Sequence, residues 1–375
     1  MKYFNAHTHI FTAQFVPNNV VGIPIMNMLA RFPISRRIVN LTRYFFGGKM
    51  NGKLQRIVKF AEIGLGKSQE VIFNELQDYY QGWGDMRFVV LMMDMEQMGA
   101  GIPLSNYQTQ LDEIIRLRSK GNYADVLLPF IAIDPRRPEF SNGQILLDWV
   151  KGYFDKYGFV GIKMYPALGY YPFDEKLDEL YAWAEKTKIP IMYHCIEGVI
   201  HYRGPLNGFP PPRFSSKFHN LNETDPQKYQ RNFTEPDNYH HVLKMFPKLK
   251  ICLGHYGGDD EMMKASPNWY TRVRELVCKH EYVYTDVSFT LNNTAIFQLL
   301  HNDINDPNSK DLGDRILFGT DFFVVEKNKD EAELRDELRD FLMNADQAKG
   351  ISISSFDRIA SENPSEFLTS WYYTA

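Results

Sequence analysis

The sequence has few cysteines and no long apolar run, and both absences restrict what the protein can be. Of its 375 residues only three are cysteine, Cys195, Cys252 and Cys278, and no two of them form a CxxC pair. This wide spacing excludes a disulfide framework and fits a reducing compartment. The longest wholly apolar stretch runs over about eight residues, 126–133, whereas a membrane-spanning helix needs roughly 20.

The sequence also lacks a strong net charge and an apolar signal segment. Its 42 Lys and Arg residues against 46 Asp and Glu residues leave a net charge of −4, so nothing calls for a nucleic acid or an anionic membrane as partner. The first residues show no apolar run of the secretory kind. With 44% hydrophobic and 23% charged residues the composition is typical of a globular protein, and we expect a soluble, cytoplasmic one.

Short apolar runs recur along the chain, and most of them end in a polar or ionisable residue. Nearly continuous apolar runs of this length are typical of strands that are buried on both faces of a parallel sheet. The eight candidate strands are 3–9, 87–94, 126–134, 159–163, 190–194, 250–255, 282–286 and 315–321. Pro129 counts against the third of them, because proline removes a donor of the hydrogen-bond ladder.

Helical patterns separate these runs, with apolar residues three and four positions apart. The predicted helices are 146–157, 174–188, 239–246, 270–280 and 329–343. Eight strands that alternate with helices predict an α/β fold, the (β/α)8 TIM barrel, whose active site lies at the C-terminal ends of the strands. We expect one domain over 1–375, with a mostly helical insertion at about 12–86 after strand one and a long irregular loop at about 198–238 after strand five.

Two histidines, His7 and His9, are separated by one residue on the first predicted strand. Because side chains alternate along a strand, the two imidazoles point to one face, about 6.5 Å apart along the chain, and can converge on one metal ion. The opposite face offers Phe4, Ala6 and Ile10 for packing against helices. Taken alone, the motif is explained equally well by two surface histidines.

Further ionisable residues end other predicted strands. His194 ends the fifth, His255 the sixth, Asp286 the seventh and Asp321 the eighth. In a barrel these strand ends meet at one rim, and histidines with a carboxylate form a site suited to zinc, with manganese, iron or nickel as alternatives. Each residue alone could be a turn residue or a hydrogen-bonded core residue, but the joint pattern favours a metal site. Asp286 could orient a ligand histidine or cap the turn.

Several segments resemble the amidohydrolase superfamily, specifically its amidohydrolase-2 branch, which includes aminocarboxymuconate semialdehyde decarboxylase and related metal-dependent hydrolases. The matching segments, in the order of the family, are N-A-H-T-H-I at 5–10, G-I-K-M-Y-P at 161–166, P-I-M-Y-H-C at 190–195, F-P-K-L-K-I-C-L-G-H-Y-G-G at 246–258, F-G-T-D at 318–321 and S-E-N-P-S-E-F-L at 361–368. The resemblance runs along the whole chain, whereas the two long insertions have no clear counterpart.

The resemblance implies a role for each residue at the strand ends. His7, His9 and His194 would be ligands of a divalent metal, and Asp321 would be a ligand or the general base. His255 would polarise the substrate or move protons in a protein with one metal, and would bind the second metal in a protein with two. The implied cofactor is Zn²⁺, one ion per chain in the simplest case.

Lys163 and Arg203 are the more open assignments. Some superfamily members carry a carboxylated lysine that bridges two metals, and Lys163 would then bind a second ion; the alternative is a plain lysine that pairs with a carboxylate or holds an anionic substrate. Arg203 lies in the loop that should overhang the barrel mouth. It could bind a carboxylate of the substrate through two nitrogens, or it could be a solvated loop residue.

The implied function is hydrolysis of a small molecule by a metal-activated water, at an amide, ester, lactone or carbon–carbon bond beside a carbonyl. Asp321 would take the proton of the water, and His255 would stabilise the developing oxyanion. Two alternatives stay open: a metal-dependent non-oxidative decarboxylase with the same ligands, and a non-catalytic barrel that binds a metal or ligand. The apolar insertion could also form a homo-oligomer interface.

Overall fold

We describe a computed structural model of the chain. It covers residues 1–20, 67–198, 200–207, 209, 211–309, 311–322 and 329–372. Most of the helical insertion predicted at about 12–86 lies outside these residues, so that insertion stays a prediction. None of the helices within the described ranges has the length and apolar content that crossing a bilayer requires.

Eight strands form one sheet in which each strand pairs in parallel with the next along the chain. They are β1 (Lys2–Thr8), β2 (Asp85–Leu91), β3 (Leu127–Ile133), β4 (Gly161–Met164), β5 (Ile191–His194), β6 (Ile251–Gly254), β7 (Val283–Asp286) and β8 (Ile316–Leu317). The segment at β8 also returns to β1, because the Ala6 amide donates to the Phe318 carbonyl (2.9 Å) and the Asp321 amide to the His7 carbonyl (2.8 Å). The sheet therefore curves into a barrel, which confirms the predicted TIM-barrel fold.

Helices follow the strands along the chain. Those in the described ranges are α1 (Gln69–Asp78), α2 (Tyr107–Ser119), α3 (Gly143–Tyr157), α4 (Asp178–Thr187), α5 (Pro226–Thr234), α6 (Asn238–Met245), α7 (Asp259–Met262), α8 (Trp269–Lys279), α9 (Phe297–Ile304), α10 (Glu331–Lys349), α11 (Ser355–Asp357) and α12 (Asn363–Leu368). All five predicted helices are present. The largest difference is at α10, which continues past residue 343 until Gly350 adopts a left-handed conformation.

Apolar side chains from nearly every strand fill part of the barrel interior. This buried cluster, the interior cluster, consists of Ala6, Val89, Leu91, Phe130, Met192, Cys252, Tyr284, Leu317 and Phe367. Because its members come from strands all round the barrel, they face the barrel axis. The ring of Phe130 occupies the space beside Gly161, where an added Cβ would lie 2.3 Å from a ring carbon, and this contact explains the glycine at the start of β4.

Strict alternation of side chains fails at one point of β1. The sequence pattern places Ala6 on the outer face with Phe4 and Ile10, yet Ala6 belongs to the interior cluster, so that expectation was wrong. The pairing of β1 with β2 shifts its register between Asn5 and Thr8, as it does at a β-bulge. A register shift changes the face of the residues beyond it, and alternation by itself does not predict it.

Pro129 lies inside β3, although proline is unusual within a sheet. Its carbonyl accepts from the Val160 amide (3.0 Å), so this residue turns its backbone groups towards β4. The ladder between β3 and β4 begins only at the next pair, Phe130 and Gly161. The amide that proline lacks therefore lies before the ladder begins, and no ladder bond is lost.

The loop predicted at about 198–238 is only partly irregular. Its last part contains the helix α5, which was not predicted because the many prolines of this segment interrupt the helical pattern. The helix begins where the Asp225 side chain accepts from the Gln227 amide (2.9 Å) and Pro226 occupies the first turn. Proline fits there because the first amides of a helix have no partner within the helix.

Candidate functional site

Predicted ligands from the two ends of the chain meet at the C-terminal rim of the barrel. His9 Nε2 lies 3.2 Å from Asp321 Oδ1, and His7 Nε2 lies 3.5 Å from the same oxygen. All three side chains are buried. Their ligand atoms lie within 4.8 Å of one another, which is close enough for one ion to contact all three. We call His7, His9 and Asp321 the ligand group.

The second nitrogen of each histidine in the ligand group contacts a hydrogen-bond acceptor. His7 Nδ1 lies 2.9 Å from Asp286 Oδ2, and His9 Nδ1 lies 2.9 Å from the Leu91 carbonyl oxygen. Because an ionised carboxylate and a carbonyl can only accept, both Nδ1 atoms carry the hydrogen. In the neutral rings each Nε2 then keeps a lone pair, and both lone pairs are available beside Asp321 for a cation.

Asp286, at the end of β7, contacts three segments at once. In addition to the bond with His7, its Oδ1 accepts from the backbone amides of His255 and Ser288, both at 3.0 Å, and from the Ser288 hydroxyl. Burial alone would raise the pKa of Asp286, but His7 and the hydrogen bonds outweigh burial and hold the pKa well below its usual range. The residue makes both predicted contacts: it orients a histidine and caps a turn.

His194 and His255 form a second pair of imidazoles at the rim. His255 Nε2 lies 3.0 Å from His194 Nδ1. Burial lowers the pKa of both rings, so both are neutral near pH 7. The other nitrogen of His194, Nε2, is buried and has no hydrogen-bond partner among the described residues. A buried polar atom without a partner is costly, which fits a ligand atom for an ion or a substrate.

Lys163 lies beside the ligand group, at the centre of β4. Its Nζ is 3.5 Å from His7 Nε2, and the side chain is buried. Burial lowers the pKa of Lys163 to about 8, against the opposing effect of Asp321 and Asp286. Both interpretations of this residue therefore stay open, since it lies near two carboxylates and a part of the amine is neutral at pH 7 to 8.

The backbone at the rim is left-handed at residues that carry side chains. The angle φ is 71° at His255, 48° at Tyr256, 67° at Phe289 and 60° at Asp321. For residues other than glycine this conformation costs about 1 kcal/mol or more. Strain of this kind is found at functional sites, and here it affects two of the predicted catalytic residues. Residues other than glycine, His255 and Asp321, therefore adopt the left-handed conformation in the segments that follow β6 and β8.

Ser288 is a site residue that was not predicted from the sequence. Its hydroxyl oxygen lies 2.9 Å from His255 Nδ1 and 3.1 Å from His7 Nδ1, so it connects the two imidazoles. Ser288 follows Asp286 at a spacing of two. The same spacing identified the two histidines of β1, and it was the signal available in the sequence.

Tyr165 is a second residue that was not predicted. Its ring lies 4.0 Å from the His194 ring, and its hydroxyl donates to the Ile200 carbonyl (3.3 Å). Tyr165 follows Lys163 at a spacing of two, beyond the end of β4. It therefore packs against a predicted ligand and also contacts the loop that follows β5.

Arg203 lies where the loop after β5 meets the segments that follow β1 and β2. Its Nε donates to the Val20 carbonyl (2.7 Å), and its backbone amide donates to the Met98 carbonyl (2.7 Å). A contact of Arg203 with a substrate carboxylate stays a prediction. Arg213, in the same loop, instead forms an ion pair with Asp178 of α4 (2.7 Å).

The sequence matches the model of the amidohydrolase family Amidohydro_2 over residues 99–368. The chain belongs to this amidohydrolase family. The match includes six of the eight strands, β3 to β8. The segment that carries His7 and His9 precedes the matched region. In this family member both histidines lie beside Asp321, which belongs to that region.

Solved structures resemble this family member along almost its whole length. Three of them are an uncharacterised TIM-barrel protein from Bordetella bronchiseptica (TM-score 0.52, 16% identity), a probable 2-pyrone-4,6-dicarboxylic acid hydrolase from Acinetobacter baumannii (0.54, 11%) and a 5-carboxyvanillate decarboxylase from Sphingomonas paucimobilis (0.51, 11%). Each alignment covers 98% of this chain and 98%, 99% and 98% of the three others. At these identities the likeness shows the fold. None of the curated proteins compared with the chain matches it.

The donor set of this family member fits a divalent metal. The ligand group supplies two imidazole nitrogens whose lone pairs are fixed by Asp286 and Leu91, together with one carboxylate oxygen. A second group of potential ligands, His7, His255 and Asp286, also lies within 4.8 Å. It fits less well, because the Asp286 oxygens already accept hydrogen bonds.

Proposed function

We propose that the protein is a metal-dependent hydrolase of a small molecule, acting at an amide, ester, lactone or carbon–carbon bond beside a carbonyl. The observation that carries the proposal is the convergence of His7 Nε2 and His9 Nε2 on the Asp321 carboxylate at the barrel mouth. His194 would complete the donor set through its unpaired nitrogen. When bound, Zn²⁺ or a similar ion would lower the pKa of water and polarise a carbonyl oxygen.

Asp321 is the proposed general base. Burial alone would raise its pKa, but the adjacent His9 ring and the other nearby imidazoles outweigh burial and lower the pKa. The carboxylate is therefore ionised near neutral pH and can accept a proton from the attacking water. It can then pass this proton to the leaving group, provided both lie within hydrogen-bond reach.

His255 is the second proposed catalytic residue. Its ring centroid lies 4.7 Å from that of His7 and 4.8 Å from that of His194, so it adjoins the ligand group. Because burial lowers its pKa, the ring is neutral near pH 7. A neutral imidazole in this position can exchange a proton with substrate or water.

Metal content and the fate of water test this proposal. Elemental analysis of the purified protein should give about one equivalent of Zn²⁺ or another divalent metal, and His9→Ala should lose it. Turnover is measured in H2(18)O with an aryl ester, a lactone, an N-acyl amino acid and an aromatic carboxylic acid. Hydrolysis incorporates the heavy oxygen into the product.

Each other outcome points to a different conclusion. Release of CO2 without heavy oxygen in the remaining product would assign the decarboxylase alternative. A metal-loaded protein that converts none of the four probes would favour a non-catalytic binding barrel. Two metal equivalents that fall to one in Lys163→Ala would indicate a carboxylated, bridging lysine.

We also propose that Arg203 binds a carboxylate of the substrate. Arg203→Ala should then raise KM about tenfold or more for an anionic substrate and change it little for a neutral analogue. Arg213→Ala is the matched control, since this arginine pairs with Asp178. Equal changes of KM for both substrates would contradict the proposed contact.

A further inference from the structure

We propose that Ser288 is a positioning residue that sets the tautomer of His255 and thereby makes His255 Nε2 the acceptor of the His194 Nδ1 hydrogen, which leaves a free lone pair on His194 Nε2. The inference rests on the proposed function and deepens it. Ser288 is fully buried, two residues beyond Asp286, and its hydroxyl oxygen lies between the Nδ1 atoms of His7 (3.1 Å) and His255 (2.9 Å).

The single hydrogen of the Ser288 hydroxyl is committed to Asp286. Asp286 Oδ1 also contacts the backbone amides of His255 and Ser288, which can only donate, so this oxygen acts as an acceptor. Its close contact with Ser288 Oγ therefore requires the hydroxyl to donate. Towards the two imidazoles, the Ser288 oxygen has only lone pairs to offer.

His255 Nδ1 must then carry the hydrogen of its ring. It faces two acceptors, the hydroxyl oxygen of Ser288 at 2.9 Å and the backbone carbonyl oxygen of the same residue at 3.3 Å. Both contacts favour the hydrogen on Nδ1, and the shorter one, to the hydroxyl oxygen, is the contact that Ser288→Ala removes. In the neutral ring the hydrogen sits on Nδ1, and Nε2 carries a lone pair.

This tautomer determines which nitrogens of His255 and His194 donate and which accept a hydrogen bond. His255 Nε2 accepts at its contact with His194, so His194 Nδ1 is the donor at 3.0 Å. The unpaired nitrogen of His194, Nε2, is then also a lone pair. His255 Nε2 has one lone pair, which His194 uses in the resting protein, so the lone pair of His194 Nε2 is the one left for an ion or a substrate. Without a hydrogen on Nε2, His255 is less suited to donate to an oxyanion, which the resemblance to the family allows as an alternative.

Nitrogen NMR of the metal-free protein tests the tautomer directly. In protein labelled with (15)N-histidine at pH 7.5, the His255 resonances, assigned from their loss in His255→Gln, should show the hydrogen on Nδ1. Ser288→Ala should shift these resonances towards a mixture of the two tautomers, and Ser288→Thr, which keeps the hydroxyl, should preserve the native form. Ser288→Ala removes one buried oxygen only, so we expect it to fold.

Thr290→Val is the control for loss of a buried hydroxyl in the same loop. Thr290 Oγ1 donates to the Val287 carbonyl (2.6 Å), and its loss should leave the His255 resonances unchanged. In the metal-loaded enzyme, Ser288→Ala should lower kcat about tenfold with KM within twofold of the native value.

The inference would be overturned by a hydrogen on Nε2 in the native protein. An unchanged His255 tautomer in Ser288→Ala would overturn it too, as would equal changes in Thr290→Val. These outcomes are independent of the proposed function, because the resonances are recorded without metal and without turnover. Failure of the proposed function would appear separately, as native protein that binds no metal.

Discussion

The two ends of the barrel interior have opposite chemistry. The interior cluster is apolar, and Phe367 of α12 packs into it with its ring 5.0 Å from that of Tyr284. The C-terminal rim buries histidines, a lysine and two aspartates, and its backbone is strained at His255 and Asp321. Apolar packing stabilises a fold, whereas strain and unpaired polar atoms destabilise it. The residues that stabilise this barrel and the residues of its proposed chemistry thus lie at different ends of the barrel interior.

Two buried lysines show the same difference. Lys250, just before β6, donates to the carbonyls of Glu366 (3.1 Å), Phe367 (3.2 Å) and Thr369 (2.6 Å), so three backbone acceptors at the end of α12 satisfy its ammonium group. Lys163 lies among ionisable side chains, with His7 Nε2 at 3.5 Å. The first lysine joins two elements of the fold, and the second contributes charge to the candidate site.

The largest effect is expected at the rim, for Asp321→Asn. Asparagine tolerates the left-handed backbone, so the fold should persist, but the base and a metal-binding oxygen are lost. We expect kcat/KM to fall at least 10³-fold, about 4 kcal/mol in activation free energy, together with loss of metal on elemental analysis.

The matched control for this change is Asp94→Asn. Asp94 is a buried carboxylate that follows β2, and burial raises its pKa to about 7, so asparagine resembles the protonated form already present. This variant should keep its metal. Equal loss of metal in both variants would mean that the rim loses its metal through general disruption and not through one ligand.

At the apolar end, Phe367→Ala should lower the free energy of unfolding by about 3–4 kcal/mol, because it removes a fully buried ring and leaves a cavity. Urea denaturation measures this change, and metal content should stay near the native value. Phe218→Ala, at a ring that is 37% exposed, should cost less than about 1 kcal/mol. Loss of metal in Phe367→Ala without loss of stability would reverse the proposed division between the two ends.

Acid should destabilise the metal-free protein through the rim. Burial lowers the pKa of His7 to about 3 and also lowers the pKa of His194 and His255, so below pH 6.5 the unfolded chain binds protons that the folded protein does not. Stability is then greatest above pH 6.5 and falls as the pH decreases. A histidine that stays neutral in the folded protein contributes at most about 1.4 kcal/mol per pH unit below pH 6.5, so the free energy of unfolding should decrease between pH 6 and pH 5.

Urea denaturation at a series of pH values measures this slope. His194→Gln should make the slope smaller, because one of the buried histidines no longer titrates. A stability that is flat or rises as the pH falls from 6.5 to 5 would show that these rings are protonated in the folded protein.

The smallest effect is expected for Lys250→Met. The methionine keeps the length and the apolar part of the side chain but leaves three carbonyls without their charged donor, at a cost of about 2 kcal/mol. Lys248→Met, at an exposed lysine two residues away, should change the unfolding free energy by less than about 0.5 kcal/mol. Native activity and metal content in both variants would confirm that the apolar end of the barrel does not take part in the chemistry.

Much of the fold could be predicted from local patterns in the sequence. All eight strands and the five proposed helices are present, because apolar periodicity reports burial and burial follows element by element along a chain. The helix α5 was not predicted because prolines interrupt the helical pattern there. The face of Ala6 was predicted wrongly because the alternation of residue types does not reveal the register shift in β1. The candidate ligands were found because imidazoles and carboxylates at strand ends are visible as residue types.

The fine geometry of the site could not be found in the same way. Which nitrogen of His7 carries hydrogen depends on Asp286, a residue 279 positions further along the chain. The placement of Ser288 between two imidazoles and the left-handed turns at His255 and Asp321 likewise arise only when β1, β6, β7 and β8 lie side by side. Periodicity and residue chemistry are local properties and identify elements and candidate ligands. Tautomers, strain and unpaired atoms are properties of contacts between distant segments, so they exist only in the folded barrel.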